Sequence, residues 1–113
     1  MTKVLQYPSD QAMLEIPRSS EEETWDQVLA DYDQAISLLK SDSPKKGYSN
    51  KYIAMAFKSE AMLYAGSVAK YNEDVTGRLT GLGQKTGVRV IGFAADRANA
   101  AAAKYFKEAY KAA

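Results

Sequence analysis

The sequence predicts an all-α fold, and three observations carry that expectation. Two long stretches place apolar residues at helical spacing, and a third carries an alanine-rich stripe of the same period. No two segments alternate as strands at hairpin spacing. The expected architecture is a tetratricopeptide-like helical hairpin, helices about 20–40 and 50–71, plus a third helix about 95–112. A long Gly-rich loop, 72–92, separates the last two helices.

The first nineteen residues contain Pro8 and Pro17 without a sustained period, and read as an extended lead-in. The first helix starts on Ser19-Ser20-Glu21-Glu22-Glu23. Ser20 can cap the amide of Glu23 while Glu23 reaches back, and three acids offset the positive end of the helix dipole. Trp25, Val28, Leu29, Tyr32, Ala35, Ile36 and Leu39 then fall on one stripe. The turn formers and lysines of Ser41 to Ser49 end it.

The second helix, from about Asn50, carries Tyr52, Met55, Ala56, Ser59, Met62, Leu63 and Gly66 on one face. Ile53, Phe57 and Tyr64 widen its apolar surface to a second side, so it should pack against at least two elements. Glu60 interrupts that surface, and is expected to form a salt bridge at a helix–helix contact. Between Asn72 and Gly92 stand five glycines among Thr, Lys and Arg. Val88–Ile91 could be a short strand, but has no evident partner. In the third helix Ala98, Ala101, Ala102, Tyr105, Ala109 and Ala112 form the stripe, flanked by Phe106 and Tyr110, and their small size permits close approach to a neighbour.

The 113 residues suit one domain, here 1–113 as a single, partial one. Fifteen Lys and Arg nearly balance fourteen Asp and Glu, so the net charge of +1 provides no broad field for nucleic acid or anionic lipid. With no Cys and no His, thiolate metal sites, cysteine nucleophiles and Ser-His-Asp catalysis are excluded within this chain. No metal, organic cofactor or catalytic residue is expected. No apolar run approaches the ~20 residues of a membrane span, and the opening MTKVLQYPSD lacks the apolar region of a signal peptide.

Trp25-x2-Val28-Leu29-x2-Tyr32 resembles the W-x2-L-G-x2-Y start of a tetratricopeptide repeat, with Leu29 in place of Gly and a longer loop after it. A more specific resemblance runs through three segments. Pro17-Arg18-Ser19-Ser20-Glu21-Glu22-Glu23-Thr24-Trp25, continuing to Ala35-Ile36-Ser37-Leu38-Leu39, resembles the "PRSSEEE … A-I-x-L-L" helix of the SusD/RagB family. Asn50-Lys51-Tyr52-Ile53-Ala54-Met55-Ala56-Phe57-Lys58, followed by Leu63-Tyr64-Ala65-Gly66, is similar to that family's "KYAALALKARxxLYAG" helix. Lys104-Tyr105-Phe106-x2-Ala109-Tyr110 resembles the helix after it, and the three occur in family order.

The resemblance implies a non-enzymatic glycan- or nutrient-binding lipoprotein on the outer membrane of Bacteroidetes-type bacteria. Its implied partners are an oligo- or polysaccharide and a TonB-dependent, SusC-like transporter. Family members are several times longer and begin with a signal peptide and a lipid-bearing Cys. The chain is therefore expected to be the helical-repeat portion of a longer protein. Isolated, such a portion would expose apolar surface and could self-associate. The alternative is a tetratricopeptide-like module that binds protein and no sugar.

The candidate carbohydrate-binding residues are Tyr71, Asn72, Asp74 and Arg78, at and after the end of the second helix. There an aromatic face and directional polar groups could meet sugar hydroxyls. Tyr48 is a similar, looser candidate. Trp25 could stack on a sugar ring, but its place on a stripe assigns it to the core. Gly81-Leu82-Gly83-Gln84-Lys85-Thr86-Gly87 departs from both the Walker and the G-x-G-x-x-G patterns, and reads as a flexible connector. Glu21, Glu22 and Glu23 cap the first helix and form no facing acid/base pair.

Overall fold

A computed structural model describes residues 16–42, 45–72 and 81–113. Among these, three helices form an all-α body: α1 (Glu21–Leu38), α2 (Lys51–Lys70) and α3 (Ala95–Ala112). The expected capping box is present at α1. The Glu23 amide donates to Ser20 Oγ at 3.1 Å, and the Ser20 amide donates to Glu23 Oε2 at 3.0 Å. Asn50 caps α2 by accepting from the Ile53 amide at 3.0 Å. Each cap uses up backbone donors that the first helical turn leaves without partners.

The α1–α2 hairpin is antiparallel. Trp25 meets Tyr64 near one end, with ring centroids 5.7 Å apart, and Asp33 meets Lys58 nearer the other. Helix α3 packs on α2 through all six residues of the expected stripe, and Met62, Phe93 and Tyr105 are the largest fully buried side chains. Close approach is made possible by Gly66. A Cβ there would stand 2.7 Å from the Phe106 ring, inside van der Waals contact.

Helix α1 has no fully buried residue, and Trp25, Val28 and Leu29 cover the α2–α3 core from the side with half-buried faces. Helix α2 does pack against two elements, as its broad apolar surface predicts. Yet Tyr52, Ile53, Phe57, Leu63 and Tyr64 remain exposed, so Tyr52 and Tyr64 are not enclosed packing residues. The charged residue turned inward on α2 is Lys58; Glu60 is exposed and does not occupy the expected helix–helix contact. The two positions lie 200° apart around a helix, so apolar neighbours in sequence gave no guide to which face was inside.

The region expected to be one glycine-rich loop contains a small antiparallel hairpin, β1 (Gly81–Leu82) with β2 (Arg89–Ile91). Gly81 pairs with Ile91 and Leu82 with Arg89, with a bulge between. The supposed connector is its turn: the Gly83 amide donates to Val88 O and the Gly87 amide to Gly83 O, both at 2.8 Å. Gly87 adopts φ +66°, a left-handed conformation that glycine takes without a Cβ clash. The unevenly spaced glycines hid this pairing, because only Val88–Ile91 carries strand-forming side chains.

Candidate functional site

The hairpin is tied to the helices at its exit. Asn72, just past the end of α2, is buried, and its carboxamide grips the backbone of Phe93. Its Nδ2 donates to Phe93 O at 2.9 Å, while its Oδ1 accepts from the Phe93 amide at 3.0 Å. This exchange imitates one rung of a β-ladder and satisfies a buried polar side chain at both ends. Next in the chain, the Gly92 amide donates to Oε2 of Glu21. The other oxygen of Glu21 accepts from Trp25 Nε1 at 3.4 Å.

That anchoring builds a shoulder where β1, β2 and the start of α1 meet. One shallow cavity there, about 520 Å³, is lined by Arg18, Gly81–Lys85, Val90 and Ile91. A second, about 290 Å³, is lined by Glu21, Thr24, Trp25, Val90 and Ile91. Val90 and Ile91 belong to both. The shoulder thus joins an apolar floor to exposed donors on Arg18, Gln84 and Lys85. Such a surface can accept a polar ligand with one less polar face, as sugars have.

Of the four residues singled out in the sequence, Tyr71 is 52% exposed at the end of α2, with Lys70 Nζ 5.5 Å from its ring centroid. Asn72 is turned inward and its amide is occupied by Phe93. Asp74 and Arg78 lie outside the described residues. Tyr48 is exposed on the α1–α2 loop. Trp25 is half-buried, packs against the core, and borders the second cavity. Sequence reasoning missed Arg18, Gln84 and Lys85 as a group, since nothing in their spacing says that a turn folds back toward the α1 cap.

The acids of α1 hold the scaffold together. Glu22 takes Arg97 in a two-point grip, at 2.6 Å from Nη2 and 3.0 Å from Nε, and this pairing raises the guanidinium's pKa. Asp26 accepts from Tyr105 Oη at 2.8 Å and from Lys104 Nζ at 2.7 Å. Burial, then the Asp26 carboxylate, pushes the Tyr105 phenol well above its ordinary range. Lys58 reaches Asp33 at 2.7 Å and Glu108 at 3.0 Å, and Lys111 reaches Glu108 at 2.9 Å. Burial pulls the Lys58 ammonium down, but the two carboxylates outweigh it and its pKa rises. Hydrogen bonds from Lys111 and Lys58 hold Glu108 below the usual carboxylate range.

Among the described residues, no group of three or more acids could hold a metal ion, and no helix is long and apolar enough to cross a membrane. No protein-family model, curated protein or solved structure matches the chain.

Proposed function

We propose that the chain is the helical scaffold of a SusD/RagB-type protein that holds glycan for uptake through a TonB-dependent transporter at the outer membrane. The observation that carries this reading is that the three resembling segments coincide with α1, α2 and α3 and interlock. Glu22 grips Arg97, Gly66 seats Phe106, and Lys58 bridges to Glu108. The resemblance therefore spans a packed unit and not three scattered strings. The hairpin shoulder, with Arg18, Gln84 and Lys85 around Val90 and Ile91, supplies the sugar-facing surface. The chemistry is binding and orientation, without a covalent step.

Native gel electrophoresis through immobilised polysaccharides, one neutral α-glucan and one anionic polyuronate, tests the reading. Retardation in either gel, reduced in an Arg18→Ala/Lys85→Ala variant, is the expected result. Unchanged mobility in both gels would overturn it. The second reading, a helical module that binds protein and no sugar, is favoured by the exposed apolar face of α2. Unchanged mobility in both gels together with capture of an added α-helical partner would select it.

A further inference from the structure

Charge is used unevenly around the hairpin shoulder. Arg18 and Lys85 both line its larger cavity, both are exposed, and neither has an ion-pair or hydrogen-bond partner among the described residues. From Gly81 to Ala94 the chain carries Lys85 and Arg89 and no acid. The three acids that follow Arg18 are engaged elsewhere. Glu21 accepts from the Gly92 amide and Trp25 Nε1, Glu22 grips Arg97, and Glu23 closes the cap on the Ser20 amide. The carboxylates of this corner are thus committed to the scaffold, while its cations are left to solvent.

The kind of polar group at the rim narrows the ligand further. A neutral sugar offers hydroxyls that both donate and accept, and is met best by a mixture of donors and acceptors. Arg18 and Lys85 are donors without acceptor capacity, and Gln84 between the glycines of the turn is the one mixed group beside them. A donor-rich rim suits a group that only accepts, and an ionised one forms hydrogen bonds about twice as strong as a neutral one. Below the rim lie Leu82, 60% exposed, and Ile91, 48% exposed, an apolar floor for the C–H face of a ring.

Resting on the glycan-binding reading above, we infer that the shoulder selects sugars that carry an anion, a uronic-acid carboxylate or a sulfate ester. Arg18 takes two anionic oxygens in its planar fork, and Lys85 supplies a second positive charge. Gln84 bonds a neighbouring hydroxyl, and the ring rests on Leu82 and Ile91. Nucleic acid suits the site less well. With a net charge of +1, the chain has no extended basic track to follow a phosphate backbone.

Electrophoresis of the whole chain through gels of a neutral α-glucan, a polyuronate and a sulfated glucan tests it, with mobility read against a gel without polysaccharide. Retardation is expected in at least one anionic gel, with free passage through the α-glucan, and the gel that retards tells carboxylate from sulfate. Arg18→Ala and Lys85→Ala should each weaken binding roughly tenfold, with helicity by circular dichroism unchanged. Lys40 and Lys46 are also exposed but line neither cavity of the shoulder, so Lys40→Ala/Lys46→Ala removes equal charge and should leave binding as it was. Equal or stronger retardation by the α-glucan would overturn the inference and leave glycan binding standing. An equal loss in the Lys40→Ala/Lys46→Ala variant, or release by single-stranded DNA as readily as by an oligouronate, would overturn it as general polyanion attraction. Unchanged mobility in every gel would overturn this inference and the glycan-binding reading together.

Discussion

Lys58 Nζ lies 3.0 Å from Glu108 Oε2, linking the middle of α2 to the end of α3 across fifty residues of sequence. The lysine side chain is only 8% exposed, whereas Asp33, its second partner, is 54% exposed and reaches in from α1. One cation therefore joins all three helices, and it is the best shielded member of the group.

Removing that cation should cost more than removing its shape. Lys58→Ala leaves two carboxylates facing a vacated position and should destabilise the fold by about 2–3 kcal/mol, less than a fully buried pair because Asp33 is screened by water. Lys58→Met keeps the aliphatic stem but leaves the same two carboxylates unpaired, and should lose most of that stability, about 1.5–2.5 kcal/mol. Urea unfolding compares the two. A methionine variant as stable as the parent would mean that the stem alone matters.

The same cluster sets two limbs of the pH–stability curve. The lowered pKa of Glu108 contributes stability that is present above its unfolded value of about 4.3 and is lost as pH falls through the folded value. The raised pKa of Lys58 contributes stability that is fully present below about 10.4 and is lost as pH rises through the folded value. Thermal midpoints should therefore fall at both extremes. Glu108→Gln should flatten the acid limb, and Lys58→Met the alkaline one.

Asn72 holds Phe93 by both ends of its carboxamide, so Asn72→Ala should strand two buried backbone groups. The expected loss is about 2–3 kcal/mol. Asn72→Asp keeps the acceptor but buries a charge in place of the donor, and should be no better. Hydrogen exchange at the Phe93 and Gly92 amides should quicken in both variants, ahead of the α2–α3 core. Protection unchanged at those amides would show that the grip is dispensable.

Gly66→Ala should destabilise by about 1–3 kcal/mol, because the new methyl overlaps the Phe106 ring. Combining it with Phe106→Leu should recover part of the loss by vacating the ring edge. Thermal or urea unfolding of the two single variants and the double gives the coupling directly. A purely additive result would remove the proposed contact.

Much of the fold was legible in local terms. The Ser20–Glu23 box, the six-residue stripe of α3 and the two-sided apolar character of α2 all depend on residues within a few turns of one another. The hairpin was missed because β1 is only Gly-Leu, which has no strand signature of its own. The assignment of Glu60 to a helix contact failed for a related reason. On a helix apolar around most of its circumference, sequence does not say which charge faces inward. At the candidate site, Asn72 was legible as a polar residue after a helix, but its use as a backbone clamp was not, since Phe93 lies twenty-one residues away.

By itself, the sequence determined the helices, their caps and the stripe by which α3 packs, because capping and 3.6-residue periodicity act over short distances along the chain. Tertiary structure alone decided that Lys58 bridges Asp33 and Glu108, that Asn72 and Glu21 fasten the hairpin, and that one side of α2 stays bare. Those outcomes depend on the rotation of each helix against its neighbours, which is set by packing among residues far apart in sequence.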